Sequence, residues 1–92
     1  MKTPDEEIRA ARDAESLITN PVFKQAFESI ESGLINKMRQ VPMHDINTQH
    51  ELILTLQLLS RLKRTFTETI QTGKMAEIQK EQAQKLPRLV RN

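Results

Sequence analysis

The sequence predicts an all-α protein: a helical hairpin with a long C-terminal helix, preceded by a short N-terminal helix and assembled as an oligomer. Three observations predict it. Leu, Ile, Ala, Glu, Gln, Lys and Arg dominate, while aromatic residues are limited to Phe23, Phe27 and Phe66, which is helix-forming composition. No run of alternating β-branched residues offers a competing strand. The four prolines and two glycines fall where helices start, stop or bend.

The first helix is announced by Thr3-Pro4-Asp5-Glu6, which has the form of a capping box: a Thr hydroxyl facing the Glu6 amide, with proline in the first turn. It is expected from Pro4 to about Ile18. Asn20-Pro21 repeats the device with Asn as N-cap, and the second helix is expected from Pro21 to about Gln40. Pro42-Met43-His44-Asp45 forms the turn, and Asp45 or Asn47 can cap the third helix. That helix starts near Ile46 and reaches about Lys85 before Pro87 stops it, with Thr72-Gly73-Lys74 as a candidate defect. At ~1.5 Å per residue it is roughly 60 Å long against roughly 30 Å for the second helix, so much of it needs another neighbour. Residues 1–86 are read as one helical domain and 87–92 as a basic C-terminal tail.

The helix faces say what is covered. In the second helix Phe23, Ala26, Phe27, Ile30, Leu34, Met38 and Val41 form one apolar stripe, with Lys24, Glu28, Glu31 and Asn36 outside it. Gly33, near that stripe, either permits a close approach or is a tolerated weak point. The third helix carries two stripes: Leu52, Leu56, Leu59, Phe66 and Ile70, and, roughly 120° away at ~100° per residue, Leu54, Leu58 and Leu62. One neighbouring helix covers the first. The second is read as an oligomer interface, the alternative being that the N-terminal helix lies over it. Leaving three Leu side chains exposed forgoes on the order of 5 kcal/mol at ~1.5–3 kcal/mol each, and a chain of 92 residues needs such an external stabiliser more than a large domain does.

Charge is unevenly placed. Residues 1–60 carry six basic and nine acidic side chains, and residues 61–92 eight and three, so the second part, tail included, is free to meet phosphate or an acidic protein face, or simply to be solvated. Arg61, Lys63 and Arg64 are the densest basic cluster and the candidate contact for an anion or a partner. No reading module for nucleic acid is evident around them. The longest uncharged run, Leu52 to Ser60, is far below the ~20 residues that span a membrane, and the N-terminus lacks the apolar core of a secretory signal; no membrane association is expected, and cytosolic residence is the default.

Catalytic chemistry is scarce. There is no Cys, which removes disulfides, thiolate metal sites and cysteine nucleophiles together. His44 and His50, with Asp45 and Glu51, lack the i, i+4 spacing of a helical zinc pair, and they are read as capping and solvent-facing groups. Thr72-Gly73-Lys74 lacks the first glycine and preceding strand of a phosphate loop. No Gly-x-Ser-x-Gly elbow surrounds Ser16, Ser29, Ser32 or Ser60. The expectation is a non-enzyme with no metal and no cofactor.

With these residues placed, AESLITNPVFKQAFESIESGLINKMR, a proline-containing turn, and ELILTLQLLSRLKRTFTETIQTGKMAEIQ together resemble small helical proteins that tailed bacteriophages encode near their head-morphogenesis genes. The resemblance covers about Ala14 to Gln79, and its marks are Asn20-Pro21, Ala26-Phe27, the Leu-rich third helix and Gly73-Lys74. It brings no catalytic residue. It implies a phage origin and a role in the particle; joined to the apolar stripes, the expectation is a structural or accessory protein of particle assembly, in the host cytoplasm or the virion, with itself and another phage or host protein as partners. Sequestration of a host defence factor or small nucleotide is one alternative. Nucleic-acid binding through the basic end is another.

Overall fold

The computed structural model describes residues 2–90, with side chains described through residue 85, and every regular element among them is helical. Helix α1 spans Pro4–Thr19, α2 Pro21–Gln40 and α3 Ile46–Val90. The all-α reading and the three starts agree with the sequence.

Each start has a physical cause. The Thr3 hydroxyl accepts from the Glu6 amide at 3.2 Å and the Thr3 carbonyl from the Glu7 amide at 2.9 Å. Asp5, Glu6 and Glu7 lie in the first turn, where carboxylates meet the positive end of the helix dipole. Asn20 holds extended backbone at φ −65°, ψ 123°, and its side-chain oxygen accepts from Val22 N–H at 2.9 Å and Phe23 N–H at 3.3 Å. Of the two candidate caps for α3, Asp45 performs the role, its carboxylate accepting from the Thr48 amide at 3.3 Å. Gln49 closes the turn from the other side by donating to the carbonyls of Met38 at 3.1 Å and Val41 at 3.4 Å. Two of the acceptors left over at the end of α2 are thereby satisfied.

The chain divides into two compact units, Ile18–Thr65 and the described part of Met1–Leu17 with Phe66–Asn92. The second of these pairs α1 with the later part of α3. Its buried residues are all small: Ala11 and Ala14 from α1, Gly73 and Ala76 from α3. Gly73 is the point of closest approach. A Cβ added there would collide with the Ala11 Cβ and lie 2.8 Å from the Glu7 carbonyl oxygen. Gly73 has no positive φ and α3 runs through it, so it is neither a helix defect nor a C-cap. Its missing side chain is what α1 fits into.

The Ile18–Thr65 unit pairs α2 with the first part of α3. Met38 touches Gln49 and Phe27 touches Lys63, so the two chain directions oppose. Leu52, Leu56 and Leu59 are half-buried, as are Phe23, Phe27, Leu34, Met38 and Val41. Ala26 and Ile30, expected in the same stripe, are exposed, and Glu31 is half-buried in place of Ile30. A two-helix contact is a narrow seam with a period near 3.5 residues, and the steps 27, 31, 34, 38, 41 follow it; hydrophobicity alone selects Ile30.

α3 ends at Val90, beyond the stop expected at Pro87. A proline removes one amide donor and its ring crowds the carbonyl four residues earlier, which kinks a helix or breaks it; here the helical backbone runs on past Pro87. The side-chain chemistry of the basic tail lies outside the described residues.

Candidate functional site

Leu54, Leu58 and Leu62 fall four residues apart on α3, and their exposures are 50, 67 and 47%. They stand about a third of a turn from the seam that α2 covers. No residue between 18 and 65 is buried. The unit that holds this Leu row therefore has a one-sided, half-closed contact as its entire interior.

The basic cluster behaves differently from a single patch. Lys63 Nζ lies 5.9 Å from the centroid of the Phe27 ring, within the range of a cation–π contact, and the Phe27 ring itself lies 5.8 Å from that of Phe23 at 40°. Lys63 therefore stands at the exposed edge of the helix–helix seam, its ammonium over the Phe27 ring. Arg61 and Arg64 are exposed and share the opposite side of the helix, three residues apart. Reading SRLKRTF as one cluster misses this split. The signal is present, however: 52, 56, 59, 63, 66, 70 and 73 advance by alternating fours and threes, and Lys63 and Gly73 are the two members of that series that are not large and apolar.

In the other unit, a surface groove of about 500 Å³ is lined by residues that include Asp5, Arg9, Arg12, Glu77 and Lys80. Two ion pairs line it. Lys80 Nζ donates to Asp5 Oδ1 at 2.7 Å, and Arg12 Nη2 to Glu77 Oε1 at 3.3 Å. The Lys80 hydrogen bond, and then its charge, hold the Asp5 carboxyl below the usual carboxylate value. Both pairs are well exposed, so salt screens them and their contribution is small.

The linkage has a definite sign. Because the folded carboxyl is the stronger acid, its contribution is in place above the ordinary pKa of 3.8 and disappears as pH falls through the lowered value. In an NMR titration, Lys80→Ala is expected to return the Asp5 pKa toward that ordinary value, and 1 M salt to do so in part; an unchanged Asp5 pKa in Lys80→Ala would refute the pairing.

His44 and His50 are exposed, and no group of three or more His, Cys, Asp or Glu side chains among the described residues is arranged to hold a metal ion. Among the same residues, no helix is long and apolar enough to cross a membrane. Comparison with known proteins finds no matching family model, curated protein or solved structure.

Proposed function

We propose that this chain is a self-associating helical hairpin with an added N-terminal helix, a non-enzymatic protein with a structural or accessory role in assembling a tailed-phage particle. One observation carries the self-association: Leu54, Leu58 and Leu62 are about half or more exposed in a unit whose seam is only half-buried. A pair of helices with no buried side chain has little apolar burial to set against the conformational entropy of ordering about 1–2 kcal/mol per residue. A further surface over the Leu row supplies the missing burial. The particle role is supported by the resemblance of residues 14–79 to phage proteins encoded beside head genes. The absence of cysteine and the placement of the two histidines favour binding over catalysis.

The test is a mass measurement in solution joined to analysis of purified particles. The purified protein is expected at a multiple of its 10.7 kDa chain mass at micromolar concentration, and the chain is expected in particles. A monomer across the concentration series would refute self-association, and its absence from particles would refute the particle role.

A further inference from the structure

We infer that the self-association surface is not the Leu row of α3 alone but a composite face of the α2–α3 pair, in which Ile30 and Ala26 of α2 stand beside Leu58 and Leu62 of α3, with Leu54 and Val22 extending it at its two ends, and that its occupant is the same face of a second copy. The inference rests on the proposed self-association and says where that contact lies.

Its geometry follows from the pairing already described. On α3 the seam positions 52, 56, 59 and 63 point toward α2, and the row 54, 58, 62 is displaced from them by about 120° against the direction of chain advance. On α2 the seam positions 23, 27, 31, 34, 38 and 41 point toward α3, and 22, 26 and 30 are displaced by about 100° in the same rotational sense. The two helices run in opposite directions, as the Met38–Gln49 and Phe27–Lys63 contacts require. Equal senses of rotation on opposed helices bring both rows to one side of the pair. The same contacts place Ile30 beside Leu58 and Ala26 beside Leu62.

Exposure agrees with that placement. Val22 is 76% and Ile30 54% exposed, alongside the Leu row, and Ala26 is exposed as well. This explains why the contact seam leaves Ile30 out and takes in Glu31: Ile30 belongs to a second face.

The choice of a second copy rests on area and charge. The six side chains present on the order of 500 Å² of apolar surface, at the upper end of what a monomer displays as its largest patch. Two such faces in contact remove on the order of 1,000 Å², the lower bound for a specific interface, and a Leu row alone would fall well short of it. None of the six residues is charged, so the face has nothing to select a charged partner, whereas an identical face matches it in area and polarity. The product is a four-helix arrangement in which each α2–α3 pair gains the layer it lacks.

The chain contains no cysteine, so single-cysteine variants Ile30→Cys, Leu58→Cys and Asn36→Cys can be compared by thiol alkylation of the purified full chain over a concentration series. Cysteine is small and apolar enough to keep each variant folded, which circular dichroism checks. Asn36 lies on the side of α2 away from the seam and is exposed. At high concentration, alkylation at positions 30 and 58 is expected to be at least tenfold slower than at 36, with the protection lost together on dilution. Protection at 58 but not at 30 overturns the composite face and leaves self-association through the Leu row standing. Protection at neither position at any concentration overturns both, and protection that appears only when another protein is added overturns the second copy as occupant.

Discussion

Replacing Gly73 by Leu is expected to lower the melting temperature by more than about 10 °C. Ordinarily a glycine inside a helix is a weak point, and Ala in its place stabilises by ~1 kcal/mol. Here the added Cβ would collide with the Ala11 methyl and press to 2.8 Å on the Glu7 carbonyl oxygen, both of them parts of α1 itself rather than the flexible end of a long side chain. α1 must then move away and expose Ala11, Ala14 and Ala76. Overpacking costs about 1–3 kcal/mol, and a side chain as large as Leu belongs at the top of that range; in a domain of this size each kcal/mol is worth ~4–8 °C. Gly33 provides the internal comparison, since a Cβ there meets nothing within 4 Å. Gly33→Ala is expected to stabilise the chain by ~0.5–1 kcal/mol. Thermal melts followed by circular dichroism separate the two glycines, and equal responses would show that α1 is not seated at Gly73.

The second large effect is expected at Phe27. Its ring pairs with Phe23, carries Lys63 on its face and contributes to the only interior that the Ile18–Thr65 unit has. An aromatic pair is worth ~0.5–1.5 kcal/mol beyond burial, an exposed cation–π contact ~0.5–1 kcal/mol, and truncation of a half-buried ring adds a share of the ~3–5 kcal/mol that a fully buried Phe→Ala change costs. Phe27→Ala is therefore expected to cost about 2–3 kcal/mol in urea unfolding. Lys63→Leu is expected to cost less, because Leu continues the apolar seam while the lost cation contact is small. A double-mutant cycle of Phe27→Ala with Lys63→Ala, which adds no new contact, isolates their coupling, and coupling near zero would mean that Lys63 does not rest on Phe27 in solution.

How much of this was legible in the sequence depends on the kind of signal. Helix starts were, because Thr3, Asn20 and Asp45 act on amides two to four residues away and their chemistry is local. The all-α class was, because composition and spacing both report it. The first apolar stripe of α3 was, because Leu52, Leu56, Leu59, Phe66 and Ile70 are large and regularly spaced. Gly73 was not. A glycine in a helical pattern reads as a breaker, and only the position of Ala11, more than sixty residues earlier, makes it a contact. The position of Lys63 over Phe27 was not read for a related reason: charge was weighed ahead of register, although the alternating spacing puts it beside the seam. The exchange of Ile30 for Glu31 has the same origin: hydrophobicity ranks residues one at a time, while a seam is chosen by geometry over several turns. Of the face we propose, the Leu row could be read from α3 alone, whereas the continuation we infer onto α2 requires knowing that the two helices run in opposite directions and which residues face each other.

The capped turn between α2 and α3 also sets an order of events in folding. Gln49 reaches back only eight and eleven residues to the carbonyls it satisfies, a loop that closes quickly and at little entropic cost. The ion pairs that tie α1 down join residues 65 and 75 positions apart, and the Ala11–Gly73 contact is of the same kind. Contacts this distant in sequence are slow to form unless the intervening chain is already ordered. On loop-closure entropy the hairpin turn is expected to form first and α1 to seat last. A nascent chain, whose N-terminus emerges first, must hold α1 without its mate until most of α3 has been synthesised.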